Sequence, residues 1–149
     1  MCFETCEVWV RLFKCVSPVK LQLEPGMIVH LCQRSEWENA RKTGFYRAAS
    51  LETEGFIHCS RPDQVLAVAN AFYRGVPDLV LLWIDPERVA VEVRWEAPIP
   101  PGTTAEERVS PHGGGDFFPH IYGPLNVEAV MRVTPFRPDS DGIFKQVLV

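Results

Sequence analysis

The chain has 149 residues, a formal net charge of -4 and a hydrophobic content of 46%, which fit one domain with a real core and exclude a disordered chain. There is no basic stripe, so strong nucleic-acid binding through phosphate contacts is not expected. No apolar run approaches the roughly 20 residues that span a membrane, the N-terminus does not resemble a signal peptide, and the cysteines form no C-x-x-C pair. We therefore expect a cytoplasmic protein with free thiols and no membrane contact.

Residues 1–26 differ from the rest of the chain. They hold three of the five cysteines, show no clean period and end in Leu23-Glu24-Pro25-Gly26. We expect a poorly ordered N-terminal extension followed by a single domain over residues 27–149. The alternative is a genuine strand near residues 8–16 that packs on the core.

The first half of the domain predicts two helices between strands. A helix that ends near Gly44 has Ser35 and Glu38 in the spacing of a capping box. Ser60 is expected to cap a second helix, which Gly75 and Pro77 stop. The segments before and between these helices predict a strand at Met27–Cys32, an irregular stretch at Phe45–Thr53 and a strand at Gly55–Cys59.

The second half predicts strands and one long loop. Leu79–Ile84 is a continuous apolar run, which is typical of a strand covered on both faces. The other expected elements are a half-exposed strand at Val89–Trp95, a loop at Ala97–Asp116, and strands at Phe118–Tyr122, Val127–Thr134 (ended by Pro135) and Ile143–Leu148. Helices early and strands late indicate an α+β domain.

Three of the four histidines, His30, His58 and His120, lie inside short apolar segments that predict strands. Burying an unpaired imidazole costs on the order of 1–3 kcal/mol, so each ring needs a partner or a ligand. Any one of them alone indicates a structural histidine, whereas three in similar settings indicate a shared cleft. Three histidines can also bind zinc, but the short H-x-x-x-H spacing is missing, and we predict no metal site.

Four further residues are candidate ligand contacts. The Ser50 hydroxyl suits sugar hydroxyls, although ordinary turn chemistry explains it equally well. Ser60, at a helix N-terminus, and the adjacent Arg61 suit an anion such as a phosphate. Tyr122 lies in a segment made rigid by two prolines and a glycine. The His112-Gly113-Gly114-Gly115 run does not indicate an esterase, because the chain has no G-x-S-x-G nucleophile motif.

Two long motifs carry a resemblance to a known family. The chain is similar to DUF952, a bacterial family of unknown function, from Met27 to the C-terminus. The matching segments are Val29-His30-Leu31-Cys32, Glu36-Trp37, Tyr46, Ser50-Leu51, Glu54-Gly55-Phe56-Ile57-His58-Cys59-Ser60, Val65, Val68-Ala69-Asn70, Phe72-Tyr73 and Pro119-His120-Ile121-Tyr122-Gly123-Pro124-Leu125-Asn126.

This resemblance implies an ADP-ribosyltransferase-like fold, with a split, bent β-core and two helices early in the chain, that binds NAD in a cleft. It implies that His30 contacts the adenosine-side ribose and that His58 lies beside the nicotinamide. It places His120 near a third position that orients the acceptor or a ribose hydroxyl. Ser50, Ser60, Arg61 and Tyr122 are then further cofactor contacts, with His58 and His120 as the catalytic pair.

The third position departs from the usual pattern of such transferases, which often have a glutamate there. A glutamate helps to stabilise oxocarbenium-like charge at the ribose carbon, and a neutral histidine does this poorly. We therefore expect NAD or a related nucleotide as the ligand, with an ADP-ribosyl transfer to an unknown acceptor. A non-catalytic nucleotide-binding module is the main alternative, and a metal-dependent hydrolase is a weaker one.

Overall fold

The fold is that of a computed structural model, which describes residues 26–97 and 117–148. Residues 1–25 of the expected N-terminal extension and most of the expected loop at Ala97–Asp116 lie outside these residues. Within them the chain forms eight strands and three α-helices, which confirms an α+β fold. The strands are β1 (Ile28–Gln33), β2 (Phe45–Tyr46), β3 (Ile57–His58), β4 (Leu79–Ile84), β5 (Val93–Glu96), β6 (Phe118–Ile121), β7 (Leu125–Asn126) and β8 (Val130–Phe136), and the helices are α1 (Arg34–Thr43), α2 (Ala49–Thr53) and α3 (Val65–Phe72).

The described strands form three antiparallel sheets, in the orders β1-β4-β8, β2-β7 and β3-β6-β5. All six residues of β4 are buried, as the apolar run predicted. Because side chains alternate along a strand, Val80, Leu82 and Ile84 enter one core cluster. Leu79, Leu81 and Trp83 enter another. The central strand therefore supports two layers of packing.

Both predicted helix caps are wrong by a few residues. β1 runs directly into α1, so the Gln33 N–H donates to the Glu36 carboxylate at 2.9 Å, and Ser35 and Glu38 do not form the capping box. Ser60 instead forms a bridge with Val29, through two backbone hydrogen bonds of 2.8 Å. This pairing keeps Ser60 extended, and α3 begins only at Val65.

Four other expectations about single elements also fail. The stretch expected to be irregular contains β2 and α2, and the strand expected from Val89 begins at Val93. Pro135 lies inside β8, which an edge strand tolerates because one of its sides needs no ladder hydrogen bonds. No strand forms at residues 143–148, since the Asn70 side chain satisfies both backbone groups of Phe144, each at 2.8 Å.

The described part of the chain has no helix with both the length and the apolar character that a bilayer crossing requires.

Gly123 ends the segment that presents Tyr122, and it has a φ of 157°. A Cβ at this position would lie 2.8 Å from Cγ1 of Val91, which is closer than real contacts allow. We expect Gly123→Ala to lower the free energy of unfolding by about 1–3 kcal/mol, as overpacking typically does. Urea unfolding followed by circular dichroism measures this change.

Val91→Ala removes the methyl groups that the new Cβ would meet. We therefore expect Gly123→Ala to cost less in the Val91→Ala background than in the parent chain. Equal costs in the two backgrounds would contradict steric contact with Val91 as the reason why this position is glycine.

Candidate functional site

His58 and His120 face each other across the pairing of β3 with β6, at directly opposite register positions. Their ring centroids are 5.1 Å apart and the rings meet edge-on, at an interplanar angle of 81°. Phe56 stacks on His120 with a centroid distance of 4.2 Å. The two imidazoles differ in access, because 52% of the His58 side chain is exposed whereas only 4% of the His120 side chain is.

Each of these histidines contacts its own carboxylate. His58 Nε2 lies 2.7 Å from a Glu54 oxygen, and Glu54 stands just before β3. His120 Nδ1 lies 2.6 Å from Glu96 Oε2, which the neighbouring strand β5 contributes. The site therefore holds two carboxylate–imidazole pairs, one exposed and one largely buried.

Glu96 is held from a second direction by Tyr122. The Tyr122 hydroxyl donates to the Glu96 carboxylate, at 2.9 Å from one oxygen and 2.7 Å from the other. The Arg94 guanidinium covers the Tyr122 ring at 4.4 Å from its centroid. Burial opposes ionisation of Glu96, but the hydrogen bonds from Tyr122 and His120 outweigh it, so the pKa of Glu96 lies below its usual value.

Burial also lowers the pKa of His120, and the nearby His58 adds to the effect, although the Glu96 carboxylate acts in the opposite direction. His120 is therefore neutral at pH 7. Because an ionised carboxylate can only accept hydrogen bonds, His120 carries its proton on Nδ1 and donates it to Glu96. Its Nε2 is left with a lone pair.

His30 is also buried, and it contacts the backbone of His58. Its Nδ1 is 2.6 Å from the backbone carbonyl of His58, and its Nε2 is 3.0 Å from the Tyr46 hydroxyl. Since a carbonyl oxygen only accepts, Nδ1 carries the proton, and Nε2 accepts from Tyr46. Burial lowers the pKa of His30 to about 4, so the ring is neutral at pH 7. Both ring nitrogens therefore already have partners within the protein.

The structure brings the three predicted histidines and Tyr122 together, and it ties Ser50 to the same cluster. The Ser50 hydroxyl donates to the backbone carbonyl of Phe56 at 2.8 Å. Ser60 is buried and pairs with Val29. Arg61 forms an ion pair with Asp63 through two bonds of 3.0 and 3.1 Å. The proposed cofactor contacts of these residues remain predictions.

Two residues of the site were not identified from the sequence. Tyr46 lies within the family motifs, but only the fold brings its hydroxyl to His30. Glu96 is 24 positions from His120 in the chain, and the pairing of β5 with β6 is what joins them. The alternation of polar residues before Glu96 was a weak signal for this strand.

Within residues 26–97 and 117–148, no group of three or more His, Cys, Asp or Glu side chains has the arrangement of a metal site.

These features define an α+β domain of antiparallel sheets with two carboxylate–histidine pairs at the junction of β3, β5 and β6. The chain matches the model of DUF952, described as a protein of unknown function, over residues 31–133, and it belongs to that family. The crystal structure of protein CC0527 from Caulobacter crescentus is similar, with a TM-score of 0.64 and 32% identity over 80% of this chain and 93% of that one. Its solution NMR structure gives a TM-score of 0.62 and 31% identity, over 81% and 93% of the two chains. A comparison with curated proteins found no match.

The low pKa of His30 makes the stability of the domain depend on pH. The unfolded chain binds a proton at His30 near pH 6.5, whereas the folded chain does so only near pH 4. The contribution of His30 to the free energy of unfolding is therefore fully present above pH 6.5. It is lost as the pH drops from 6.5 to 4, and the loss is on the order of 3 kcal/mol. Urea unfolding at several pH values measures the loss.

His30→Gln is the matched variant, because glutamine does not titrate. We expect a shallower decline in stability between pH 6.5 and 4 in this variant than in the parent chain, whatever the stability of the variant at pH 7. If the free energy of unfolding fell equally steeply with pH in the two proteins, protonation of His30 would not be the cause of the decline.

Proposed function

We propose that this domain binds NAD or a related nucleotide at the facing His58–His120 pair, on an ADP-ribosyltransferase-like fold, and transfers its ADP-ribosyl group to an acceptor. The observation that carries the proposal is the two imidazoles with ring centroids 5.1 Å apart, each with its own carboxylate. One pair is exposed and the other is largely buried, and acid–base sites are often built from titratable groups in such different environments.

The exposed side of the pair suits a ribose. His58 and Glu54 are both about half exposed, and because His58 Nε2 donates to the Glu54 carboxylate, the pair offers hydrogen-bond acceptors to the vicinal hydroxyls of a ribose. The Arg94 guanidinium lies on the Tyr122 ring and forms an exposed, bidentate ion pair with Glu92, with both hydrogen bonds at 2.8 Å, so a phosphate bound there would compete with Glu92 for its charge. In this proposal His30 supports the site through the His58 backbone, because its own nitrogens are engaged.

A non-catalytic nucleotide-binding module is the second candidate, and one observation favours it. The oxygens of Glu96 accept hydrogen bonds from Tyr122 and His120. A carboxylate held in this way is a poor direct partner for developing charge on a ribose carbon.

Isothermal titration calorimetry with NAD, ADP-ribose and AMP tests the binding proposal. We expect binding of NAD or ADP-ribose by the parent chain, and a roughly tenfold or greater loss of affinity in Glu54→Gln, because the substitution removes a charged acceptor at the exposed side of the site. Absence of any heat with all three nucleotides at millimolar concentration would refute the proposal.

Glu52→Gln provides the matched control, since Glu52 is an exposed glutamate on the same short helix, α2. It makes the same change of charge two residues away. We expect it to bind nucleotides like the parent chain. An equal loss of affinity in both variants would indicate a general electrostatic effect and not a contact by Glu54.

A further inference from the structure

Among residues 26–97 and 117–148, the buried carboxylate–imidazole pair has one polar atom without a hydrogen-bond partner. In the described segments on either side of residues 98–116, no hydrogen-bonding group reaches His120 Nε2, while Nδ1 is held by Glu96 at 2.6 Å. The His120 side chain is only 4% exposed, so little water reaches this atom. A buried acceptor without a donor is costly, and in native proteins it often marks a functional position.

The surroundings of His120 fix the direction of this free lone pair. Phe56 covers one face of the ring at 4.2 Å, and the edge-on contact with His58 restricts the ring further. Glu96, itself fixed by Tyr122, holds the Nδ1 edge. The ring cannot turn without losing these contacts, and Nε2 therefore keeps one orientation, away from Glu96.

We propose that His120 Nε2 is the general base of this site, that Glu96 is its positioning residue, and that the acceptor substrate is a hydroxyl compound, either an alcohol or water. The inference rests on the proposed function. A hydroxyl group is the natural donor for an unpaired imidazole nitrogen, and its proton is the one that transfer must remove. His58, the exposed neighbour of His120, lies where the nucleotide is proposed to bind.

The step balances without any further reactant. The acceptor oxygen forms a bond to the ribose carbon C1′ as the bond from C1′ to the nicotinamide nitrogen breaks. The electron pair of that bond goes to nicotinamide, which leaves neutral. The hydroxyl proton goes to His120 Nε2, and the Glu96 carboxylate, in contact with Nδ1, offsets the charge of the imidazolium. After the product leaves, the imidazolium passes its proton to a water molecule that enters the position vacated by the acceptor.

The test measures nicotinamide release from saturating NAD, with and without methanol as the hydroxyl acceptor, alongside NAD affinity by calorimetry. We expect release by the parent chain with formation of ADP-ribose and, in methanol, of methyl ADP-riboside. In His120→Gln and Glu96→Gln the release rate at saturating NAD should fall by about 10²-fold or more, as for loss of a general base, which is a larger factor than the loss of NAD affinity in the same variants. Glu87→Gln, an exposed glutamate on another element, is the charge-matched control.

The pH profile separates a positioning role for Glu96 from a merely structural one. His120 is faced by Glu96 and Arg94 from β5, by His58 from β3, by Glu54 from the turn before β3 and by Tyr122 beyond β6. Of these, Glu96 raises the proton affinity of His120 most, so Glu96→Gln should move the acidic limb of the rate profile to lower pH as well as lower its plateau. A lower plateau with an unmoved limb would refute positioning.

Nitrogen NMR of the parent chain adds a measurement that needs no variant. We expect a neutral His120 at pH 7 with its proton on Nδ1, and a proton on Nε2 instead would overturn the inference. NAD binding without nicotinamide release, or release by His120→Gln at the parental rate, would also overturn it while leaving nucleotide binding intact. If the parent chain binds no NAD, the proposed function fails, and this inference fails with it.

Discussion

The site depends on one hydrogen bond, from His30 Nδ1 to the backbone carbonyl of His58. β3 has only two residues, Ile57 and His58, and a strand this short is not stable alone. β6 holds it on one side. On the other side, the Val29–Ser60 bridge and the His30 contact tie it to β1, and so to the buried strand β4. Because burial keeps His30 neutral at pH 7, this link is a hydrogen bond between two neutral groups.

This arrangement gives the three histidines different chemistry even though their sequence settings are alike. Both nitrogens of His30 are used internally. His58 is open to solvent and paired with an exposed carboxylate, whereas His120 is closed off and paired with a buried one. Burial and hydrogen-bond partners therefore decide what each imidazole does: His30 supports the backbone, His58 meets solvent, and His120 Nε2 has no partner in the part of the chain that the structure describes.

The sequence predicted correctly those strands that depend on a run of neighbouring apolar residues. The apolar run Leu79–Ile84 indicated a buried strand, and the apolar residues around each of the three histidines indicated strands as well. The failures have long-range causes. Ser60 resembles a helix cap but pairs with Val29, 31 positions away, and Phe144 obtains its backbone partners from Asn70 across 74 positions. Glu96 joins the site only because β5 lies beside β6. No periodicity or spacing records such pairings.

ADP-ribosyltransferases often have a glutamate at the position near which the sequence comparison places His120. This chain has no glutamate there in its sequence, but the fold brings Glu96 to His120. A carboxylate is present, but β5 places it at Nδ1 of His120, and the Tyr122 hydroxyl donates to the same oxygen, Oε2, at 2.7 Å and lies 2.9 Å from Oε1. A carboxylate so placed cannot also face a ribose carbon. It can instead fix the tautomer of His120 and stabilise the imidazolium after a proton is taken up. In the proposed transfer, Glu96 then contributes through the base and not at the reacting carbon, so that stabilisation of charge at C1′ falls to other groups, of which Glu54 is the exposed acid beside His58.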